Sequence, residues 1–212
     1  MENILVVGAT GSTGKQVVDL LKSSQYFEPV AMVRKKEQQA PFEAQGVRTV
    51  LADLEEDVDH AMKDIDKVVF AAGSGGKKVK AVDQNGAIKV VDAAQKNGIK
   101  KFVMLSSMGA DQPEKNEELQ DYLKAKHQAD AHLKQSTLSY VIVRPGQLKH
   151  DPGTDKIKLA EKLDDKGSIP RADVAQVLTR SLHDDTMVNQ TFEIVEGDTL
   201  IGKALDTMET QD

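Results

Sequence analysis

The stretch Asn3–Gly14, which reads NILVVGATGSTG, decides the fold of this chain. Four apolar residues with strand propensity come first, and glycines follow at Gly8, Gly11 and Gly14. The next segment, Lys15–Leu21, carries its apolar residues at helical spacing. A strand, a glycine turn and a helix in this order are typical of dinucleotide-binding folds, in which the amides and dipole of the helix N-terminus hold a pyrophosphate.

Glycine suits this turn for two physical reasons. It adopts positive φ without strain, and it lacks the Cβ that would block a pyrophosphate. Gly14, Val17, Val18 and Leu21 share one helical face, so we expect the third glycine to lie close against the sheet. An ordinary strand–helix turn without a ligand is the alternative interpretation. The turn residues that we expect to bind a cofactor are Gly8, Thr10, Gly11, Ser12, Thr13 and Gly14.

The composition narrows the class of protein. A chain of 212 residues without cysteine fits one α/β domain over residues 1–212, with no disulfide, thiolate catalysis or cysteine-bound metal. The net charge of −6 disfavours a broad nucleic-acid surface. No apolar run reaches membrane-spanning length, and the N-terminus lacks signal-peptide character, so we expect a cytoplasmic protein. The histidines show no metal-ligand spacing, and we predict no metal site.

Apolar runs and amphipathic segments alternate along the chain, which predicts right-handed crossovers and a parallel sheet covered on both faces. We therefore expect a Rossmann-type, doubly wound α/β domain with three αβα layers. The predicted strands are Ile4–Val7, Val30–Val33, Val47–Leu51, Lys67–Ala72, Phe102–Leu105, Tyr140–Arg144 and Thr191–Val195. The predicted helices are Thr13–Leu21, Val79–Lys96, Leu119–Leu133 and Ala172–Leu182, with weaker ones near Phe42–Ala44, Val58–Lys63 and Leu200–Met208.

The end of the second predicted strand bears on the choice of cofactor. In this architecture an acidic residue here favours the free 2′-hydroxyl of NAD(H), whereas arginine accommodates the 2′-phosphate of NADP(H). The chain has Arg34, followed by Lys35 and Lys36. An arginine can bind a phosphate through two donors and stack on adenine, so we favour NADP(H) over NAD(H). A solvated basic turn is the alternative interpretation.

Two further strand ends contribute candidate cofactor contacts. Asp53 follows the third strand, where its carboxylate can accept a hydrogen bond from the adenine amino group while Leu54 packs on the ring. Asp53 as an ordinary loop acid or helix cap is an equal alternative. Ala71, Ala72 and Gly73 close the fourth strand with minimal side chains, which allows backbone to approach the ribose and pyrophosphate or simply makes a tight turn.

Ser107, Tyr122 and Lys126 are the candidate catalytic residues. Ser107 ends the fifth strand at the edge where ligands bind in such sheets. Tyr122 and Lys126 lie one helical turn apart, where the ammonium can favour the phenolate form and the phenol can exchange a proton with a substrate oxygen. Lys126 can also bind the nicotinamide ribose. A chance pair, with Tyr122 as a half-buried core ring and Lys124 and Lys126 as surface lysines, is the alternative. The apolar stripe that should turn this pair inward is Leu119, Tyr122, Lys126, Ala129 and Leu133.

At this point the chain resembles the short-chain dehydrogenase/reductase superfamily, and more closely its compact atypical members, the NAD(P)H-binding proteins related to flavin reductases and NmrA-like proteins. The resemblance runs over nearly the full length and is specific as a set. The segments that carry it are Gly8–Gly14, Val33-Arg34, Ala52–Leu54, Ala71–Gly73, Asn85-Gly86, Lys101–Ser107, Tyr122–Lys126, Val143–Gly146 and Arg171–Ala175.

The resemblance implies NADP(H) binding, a site made of Ser107, Tyr122 and Lys126, and a place for Pro145 and Gly146 beside the nicotinamide carboxamide. It also matches Asn85 to a site asparagine of extended members. The substrate-side segments, about residues 147–170 and 196–212, are short for a sugar-nucleotide epimerase or dehydratase. We therefore predict an oxidoreductase that acts on a small carbonyl, quinone or flavin-like acceptor, with homo-oligomerisation left open. A non-catalytic NADP(H) sensor is the second hypothesis, and an epimerase or dehydratase the third.

Overall fold

A computed structural model describes residues 1–164, 167–184 and 187–209. Its strands are β1 (Glu2–Val7), β2 (Phe27–Val33), β3 (Arg48–Leu51), β4 (Lys67–Phe70), β5 (Lys101–Leu105), β6 (Ser139–Pro145), β7 (Gln147–Lys149), β8 (Lys156–Ala160), β9 (Ser168–Pro170), β10 (Gln190–Glu196) and β11 (Thr199–Leu200). Its helices are α1 (Ser12–Lys22), α2 (Ala40–Glu43), α3 (Ala87–Lys96), α4 (Gln120–Gln135), α5 (Arg171–Arg180) and α6 (Ile201–Glu209). A π-helical segment, Val79–Gly86, leads directly into α3.

The main sheet has nine strands in the order β3-β2-β1-β4-β5-β6-β10-β8-β11. Neighbours from β3 to β10 pair in parallel, and β8 pairs antiparallel with both β10 and β11. The strand order reverses between β1 and β4, which is the switch point at which ligands bind in open α/β sheets. The predicted Rossmann-type, doubly wound sheet is confirmed. We call the side on which the parallel strands end the carboxyl edge, and the opposite side the amino edge.

Two apolar cores cover the two faces of the sheet. Ile4 and Val6 of β1 belong to the core shared with α1, α5 and α6, whereas Leu5 and Val7 belong to the core shared with α3. Each of these four side chains is at most 1% exposed. A strand that is apolar on both faces is expected in a covered parallel sheet, and the three-layer prediction is thereby confirmed.

The predicted strands and most of the predicted helices are present with small changes in their bounds, but four strands were missed. The helix predicted over residues 79–96 is α-helical only from Ala87, and the weaker one near residues 58–63 is a 3-10 helix, Asp59–Met62. β7, β9 and β11 are only two or three residues long, too short for a periodic pattern. β8 shows an alternating pattern, KIKLA, that indicates a strand with one exposed face. β7 and β9 pair in parallel as a separate small sheet, while β8 and β11 extend the main sheet.

Leu119 is a correction to the predicted inward stripe. It precedes the first turn of α4 as its N-cap and is 50% exposed, because the amphipathic face begins only inside the helix. The buried residues of α4 are Leu123, Ala125, Lys126, Ala129, Asp130 and Leu133. Among the described helices, none combines the length and the apolar character needed to cross a membrane.

Candidate functional site

The glycine turn after β1 packs directly on the chain leaving β4. Gly8 has φ of +88°, and a Cβ built on it would lie 2.6 Å from the backbone of Ala72. A Cβ on Gly14 would lie 2.2 Å from the carbonyl oxygen of Gly8, so α1 starts in close contact with the turn. Only glycine fits these two positions without a shift of the backbone. We call the small depression that Gly8 and Gly14 leave at the switch point the glycine cradle.

The first turn of α1 presents free amides at this cradle. Gly11 is the N-cap and has no side chain with which to cap the helix, and the first helical bond runs from the amide of Lys15 to the carbonyl of Gly11 at 2.9 Å. The amides of residues 12–14 precede that bond, so they have no helical acceptor. The first turn holds no acidic residue. Thr10 and Ser12 are exposed beside these amides, whereas Thr13 is buried.

The end of β2 forms a basic turn. The side-chain oxygen of Gln38 accepts the amides of Arg34 and Lys35 at 3.0 and 2.9 Å, which fixes the backbone. Arg34 is exposed, and its guanidinium makes no ion pair or hydrogen bond within residues 1–164, 167–184 and 187–209. The turn can therefore receive an anionic group without first breaking an internal contact.

Asp53 and Leu54 shape the neighbouring loop after β3. One carboxylate oxygen of Asp53 accepts the amide of Glu55 at 3.0 Å, which is the local turn contact expected of a loop acid. Leu54 is 9% exposed, and a Cβ on Gly86 would lie 2.9 Å from its side chain. The ammonium of Lys89 binds the carbonyls of residues 54–56 at 2.7–3.3 Å. This loop is thus firmly attached to the π-helical segment and α3.

The segment that follows β4 packs closely against the end of β1. The amide of Ala71 donates to the carbonyl of Val7 at 2.8 Å, which continues the β1–β4 pairing past the strand ends. Ala71 and Ala72 are partly buried, and Gly73 is exposed. The next residue, Ser74, donates its amide and hydroxyl to the carboxylate of Asp83 at 3.2 and 2.5 Å. Backbone therefore lines this part of the edge.

Lys126 is the buried cation of the site. Its residue is 3% exposed, and its ammonium donates to the carbonyl of Leu105 at 3.3 Å. The same nitrogen lies 3.8 Å from a carboxylate oxygen of Asp83 and 5.6 Å from the centre of the Tyr122 ring. Lys126 thus connects the end of β5, the π-helical segment and the phenol ring.

Asp83 is a residue that sequence reasoning missed. It is 1% exposed, whereas Asn85, the residue that the resemblance suggested, is exposed. The continuous helical pattern of residues 79–96 carries no signal for a π-helical start, and π-helical turns often occur at functional sites. The extra residue per turn is what decides which side chain of this segment faces Lys126.

The two serines at the end of β5 differ in their surroundings. Ser106 is buried, and its hydroxyl donates to Asp130 at 2.9 Å. Ser107 is partly buried, and its hydroxyl makes a local contact with the carbonyl of Met108 at 3.3 Å. The hydroxyl of Tyr122, also partly buried, has no hydrogen bond within the described part of the chain. Ser107 and Tyr122 are thus the hydroxyls that remain available to a ligand.

A charged network supports this edge from behind. Arg144 donates through two nitrogens to one oxygen of Asp130, at 2.8 and 3.0 Å, and lies 3.9 Å from Asp111. Lys162 contacts both carboxylate oxygens of Asp111 at 2.8 Å and Glu193 at 2.9 Å. The network ties the loop after β5 to the segment after β8.

These contacts determine the protonation states of Asp111 and Lys162. Partial burial would raise the pKa of Asp111, but hydrogen bonds from Lys162 and the charge of Arg144 outweigh it and hold that pKa below its usual value. Burial would likewise lower the pKa of Lys162, but Asp111 and Glu193 raise it. Both residues are therefore charged at neutral pH, and the ion pair persists there.

Pro145 anchors the loop that carries Ser107. It is buried at the end of β6, and its carbonyl accepts the amide of Met108 at 2.9 Å. The following Gly146 approaches Gly167 closely, because a Cβ there would lie 2.1 Å from the Gly167 carbonyl oxygen. The strand ends of β5 and β6 are thus joined next to the serines.

These features define a class of protein. Free amides at the start of α1, a glycine cradle that a Cβ would fill and a switch point between β1 and β4 fit a dinucleotide with its pyrophosphate on the helix N-terminus. The fold and the site are those of a dinucleotide-binding α/β protein. No group of three or more His, Asp or Glu residues in the described ranges is arranged to hold a metal ion.

Comparison with known proteins identifies the family. The model of the NAD(P)H-binding family matches residues 8–185, and the chain belongs to that family. The match confirms the resemblance to compact atypical short-chain dehydrogenases/reductases.

Three relatives are similar over nearly their whole length. A Bacillus subtilis protein named as the uncharacterized sugar epimerase YhfK is 42% identical over 95% of this chain and 98% of its own. A Bacillus halodurans structure, described as a candidate NAD-dependent epimerase/dehydratase, is 41% identical with a TM-score of 0.93, covering 98% and 100% of the two chains. The oxidoreductase ylbE from Lactococcus lactis is 31% identical with a TM-score of 0.86, covering 97% and 96%.

Proposed function

We propose that this protein is an NADP(H)-dependent oxidoreductase that acts on a small carbonyl, quinone or flavin-like acceptor. The observation that carries the proposal is the buried ammonium of Lys126, which lies between the end of β5 and the ring of Tyr122. A lysine that is 3% exposed is costly unless its charge is used, and here the ammonium lies 5.6 Å from the centre of the Tyr122 ring, whose hydroxyl has no hydrogen bond in the described chain.

The proposed roles follow from position and chemistry. When bound, NADPH would supply a hydride, that is, one proton with two electrons, to the acceptor. The Tyr122 hydroxyl donates the proton that the acceptor oxygen requires, and water restores the phenol afterwards. Ser107 donates a hydrogen bond to the same oxygen. Lys126 stabilises the transient phenolate electrostatically and binds the nicotinamide ribose, and Asp83 holds the lysine in place.

The remaining predicted residues form the proposed cofactor groove. The turn amides and the hydroxyls of Thr10, Ser12 and Thr13 bind the pyrophosphate. Backbone at Ala71, Ala72 and Gly73, with Gly8, Gly11 and Gly14, gives it room to approach. Asp53 and Leu54 contact the adenine, and Pro145 lies beside the carboxamide. Arg34 binds the 2′-phosphate, and the absence of an internal partner for its guanidinium in the described chain supports NADP(H) over NAD(H).

A sugar-nucleotide epimerase or dehydratase is the second candidate. The names of the Bacillus subtilis and Bacillus halodurans relatives favour it. Such an enzyme removes a hydride from a sugar carbon and later returns it, so it consumes no cofactor overall. A non-catalytic NADP(H) sensor is the third candidate, although it would have no need of a phenol and an ammonium in contact.

Oxidation of NADPH in the presence of aldehydes, quinones and flavins tests the proposal. With a carbonyl acceptor, Tyr122→Phe should lower kcat by roughly 10²- to 10⁴-fold, because it removes the proton donor. Its NADPH affinity, measured by calorimetry, should stay within a factor of about two, since the ring remains in place. Tyr140→Phe is the matched control, a partly buried tyrosine at the far end of β6.

The outcomes separate the three candidates. Unchanged carbonyl turnover in Tyr122→Phe would remove the tyrosine from the mechanism. Interconversion of UDP-glucose with its epimer, without net NADPH oxidation, would favour the epimerase. Equal affinity for NADPH and NADP⁺ with no turnover of any acceptor or sugar nucleotide would favour the sensor.

A further inference from the structure

Arg171, the first residue of α5, has no partner among the residues that the structure describes. It is partly buried, and its Nη1 atom is fully buried yet finds no hydrogen-bond acceptor there. No other guanidinium nitrogen of Arg171 makes a hydrogen bond or ion pair with any residue that the structure describes. The acid in the same turn, Asp173, is already occupied, because it accepts the amides of Thr154 and Asp155 at 2.9–3.1 Å.

The other buried cations of the described chain show that this is unusual. The cations that are less than a tenth exposed all have a carbonyl or carboxylate acceptor; they are Lys67, Lys101, Lys126 and Arg144. A buried guanidinium nitrogen without an acceptor destabilises the folded state, because it has lost its hydrogen bonds to water and gained none in exchange. A ligand that supplies an acceptor would remove this penalty.

The position of Arg171 shows where such a ligand would lie. Arg171 is three and four residues before Val174 and Ala175, which are fully buried, so it continues the sheet-facing stripe of α5. Helical side chains tilt toward the N-terminus of their helix. The C-terminal end of α5 leads to Leu182, whose carbonyl binds Lys67 at the amino edge, so Arg171 starts the helix at the carboxyl edge.

The helix that follows the glycine turn, α1, packs beside α5. α5 also contacts β5 and β9. Since α1 also starts at the carboxyl edge, the first turns of the two helices lie on the same face of the sheet. Helices in contact have axes about 8–10 Å apart, a distance that an arginine side chain can span.

We infer that Arg171 binds an oxyanion of the ligand held at the carboxyl edge. The inference rests on the proposed function and extends it, because it assigns a specificity residue that the Ser107, Tyr122 and Lys126 set does not contain. The oxyanion has two sources in such a site: a phosphate of the dinucleotide or a carboxylate of the acceptor. A guanidinium binds both through parallel donors.

Arg171→Met tests the inference, with Arg180→Met at the other end of α5 as the matched control. Without ligand, Arg171→Met should raise Tm by about 2 °C or more, because it removes an unpaired buried cation. Its affinity for the oxyanion should fall about tenfold or more. Calorimetry with NADPH and with inorganic pyrophosphate measures the phosphate arm. KM for 4-carboxybenzaldehyde against its methyl ester measures the carboxylate arm.

The results distinguish the two sources of the oxyanion. Weaker NADPH and pyrophosphate binding assigns Arg171 to the dinucleotide, and a KM increase confined to the carboxylate assigns it to the acceptor. Unchanged affinity for every probe, or a Tm below that of the wild type, would overturn the inference. If the wild type fails to bind NADPH, the proposed function fails by itself, and the pyrophosphate measurement still decides the role of Arg171.

Discussion

The two edges of the sheet differ in whether their charged groups have partners within the protein. At the amino edge, Lys67 is 1% exposed and its ammonium binds the carbonyl of Leu182 at 2.9 Å, Glu2 at 2.7 Å and Asp184 at 2.6 Å. An open depression of about 770 Å³ lies there, lined by these charged residues. Its buried cation is already satisfied by the protein.

At the carboxyl edge, several polar groups have no partner within the described chain, although Lys126 and Arg144 are paired there. The first amides of α1, the guanidiniums of Arg34 and Arg171 and the hydroxyl of Tyr122 all lack an internal partner there. Folding normally pairs buried polar groups, so the buried Nη1 of Arg171 without an acceptor in the described chain indicates a ligand at this edge. Unsatisfied polar groups therefore identify the functional site better than the size of a depression does.

The largest effect should come from the glycine cradle. Gly8→Ala adds a Cβ at 2.6 Å from the Ala72 backbone at a φ of +88°. The strain and the overlap should each cost about 1–3 kcal/mol of unfolding free energy, and NADPH affinity should fall with them. Gly46→Ala is the control, because Gly46 has a φ of +74° and open space around it. Equal costs for the two variants would show that no close approach exists at Gly8.

The next largest effect should come from Lys67→Met, which should destabilise the amino edge and leave the carboxyl edge unchanged. It leaves the Leu182 carbonyl unpaired, which should cost about 1–3 kcal/mol in denaturant unfolding. NADPH affinity should stay unchanged, because α1 and the carboxyl edge are not involved. Lys100→Met is the control, since this exposed lysine contacts the same Glu2 and should matter little. A loss of NADPH affinity in Lys67→Met would contradict the separation of the two edges.

Arg34→Gln tests whether Arg34 makes the protein prefer NADP(H) to NAD(H). Loss of a hydrogen bond to a charged phosphate costs about 1.5–3 kcal/mol, or roughly 10- to 150-fold in affinity. Calorimetry should show that loss for NADPH and little change for NADH. Lys36→Gln, two residues along the same exposed turn, serves as the control. Equal losses for both nucleotides would argue against 2′-phosphate recognition by Arg34.

The smallest effect concerns acid stability at the amino edge. The amide of Asn3 and the ammonium of Lys100 hold the pKa of Asp66 below its usual value, and Lys67 does the same for the pKa of Asp184. A carboxyl whose pKa is depressed by folding stabilises the protein above its unfolded pKa of about 3.9, and that stability disappears as the pH falls below it.

The double variant Asp66→Asn/Asp184→Asn should therefore lose less Tm than the wild type does between neutral pH and about pH 3. Thermal unfolding across that range measures the difference. Asp19→Asn is the control, because Asp19 is exposed on α1 and has no ion pair in the described residues. An identical acid dependence in the wild type and the double variant would mean that these pairs contribute nothing.

The sequence by itself determined the glycine turn, the alternation of strands and helices, the strand ends at which Arg34 and Ser107 lie and the helix that carries Lys126. These features are local, because they depend on backbone freedom at glycine and on apolar periodicity over a few residues. β8 was also readable in its alternating KIKLA pattern, although we did not predict it.

Only the tertiary structure decided which side chains have partners. Asp83 meets Lys126 because a π-helical segment turns it inward, and Arg171 has no partner in the described chain, while Asp173 of the same turn binds the amides of residues 154–155. Such pairings join segments far apart in sequence, which have no shared local pattern. They exist only once the sheet has closed and the helices have packed on it, so the exposed and the satisfied charges look alike in the sequence.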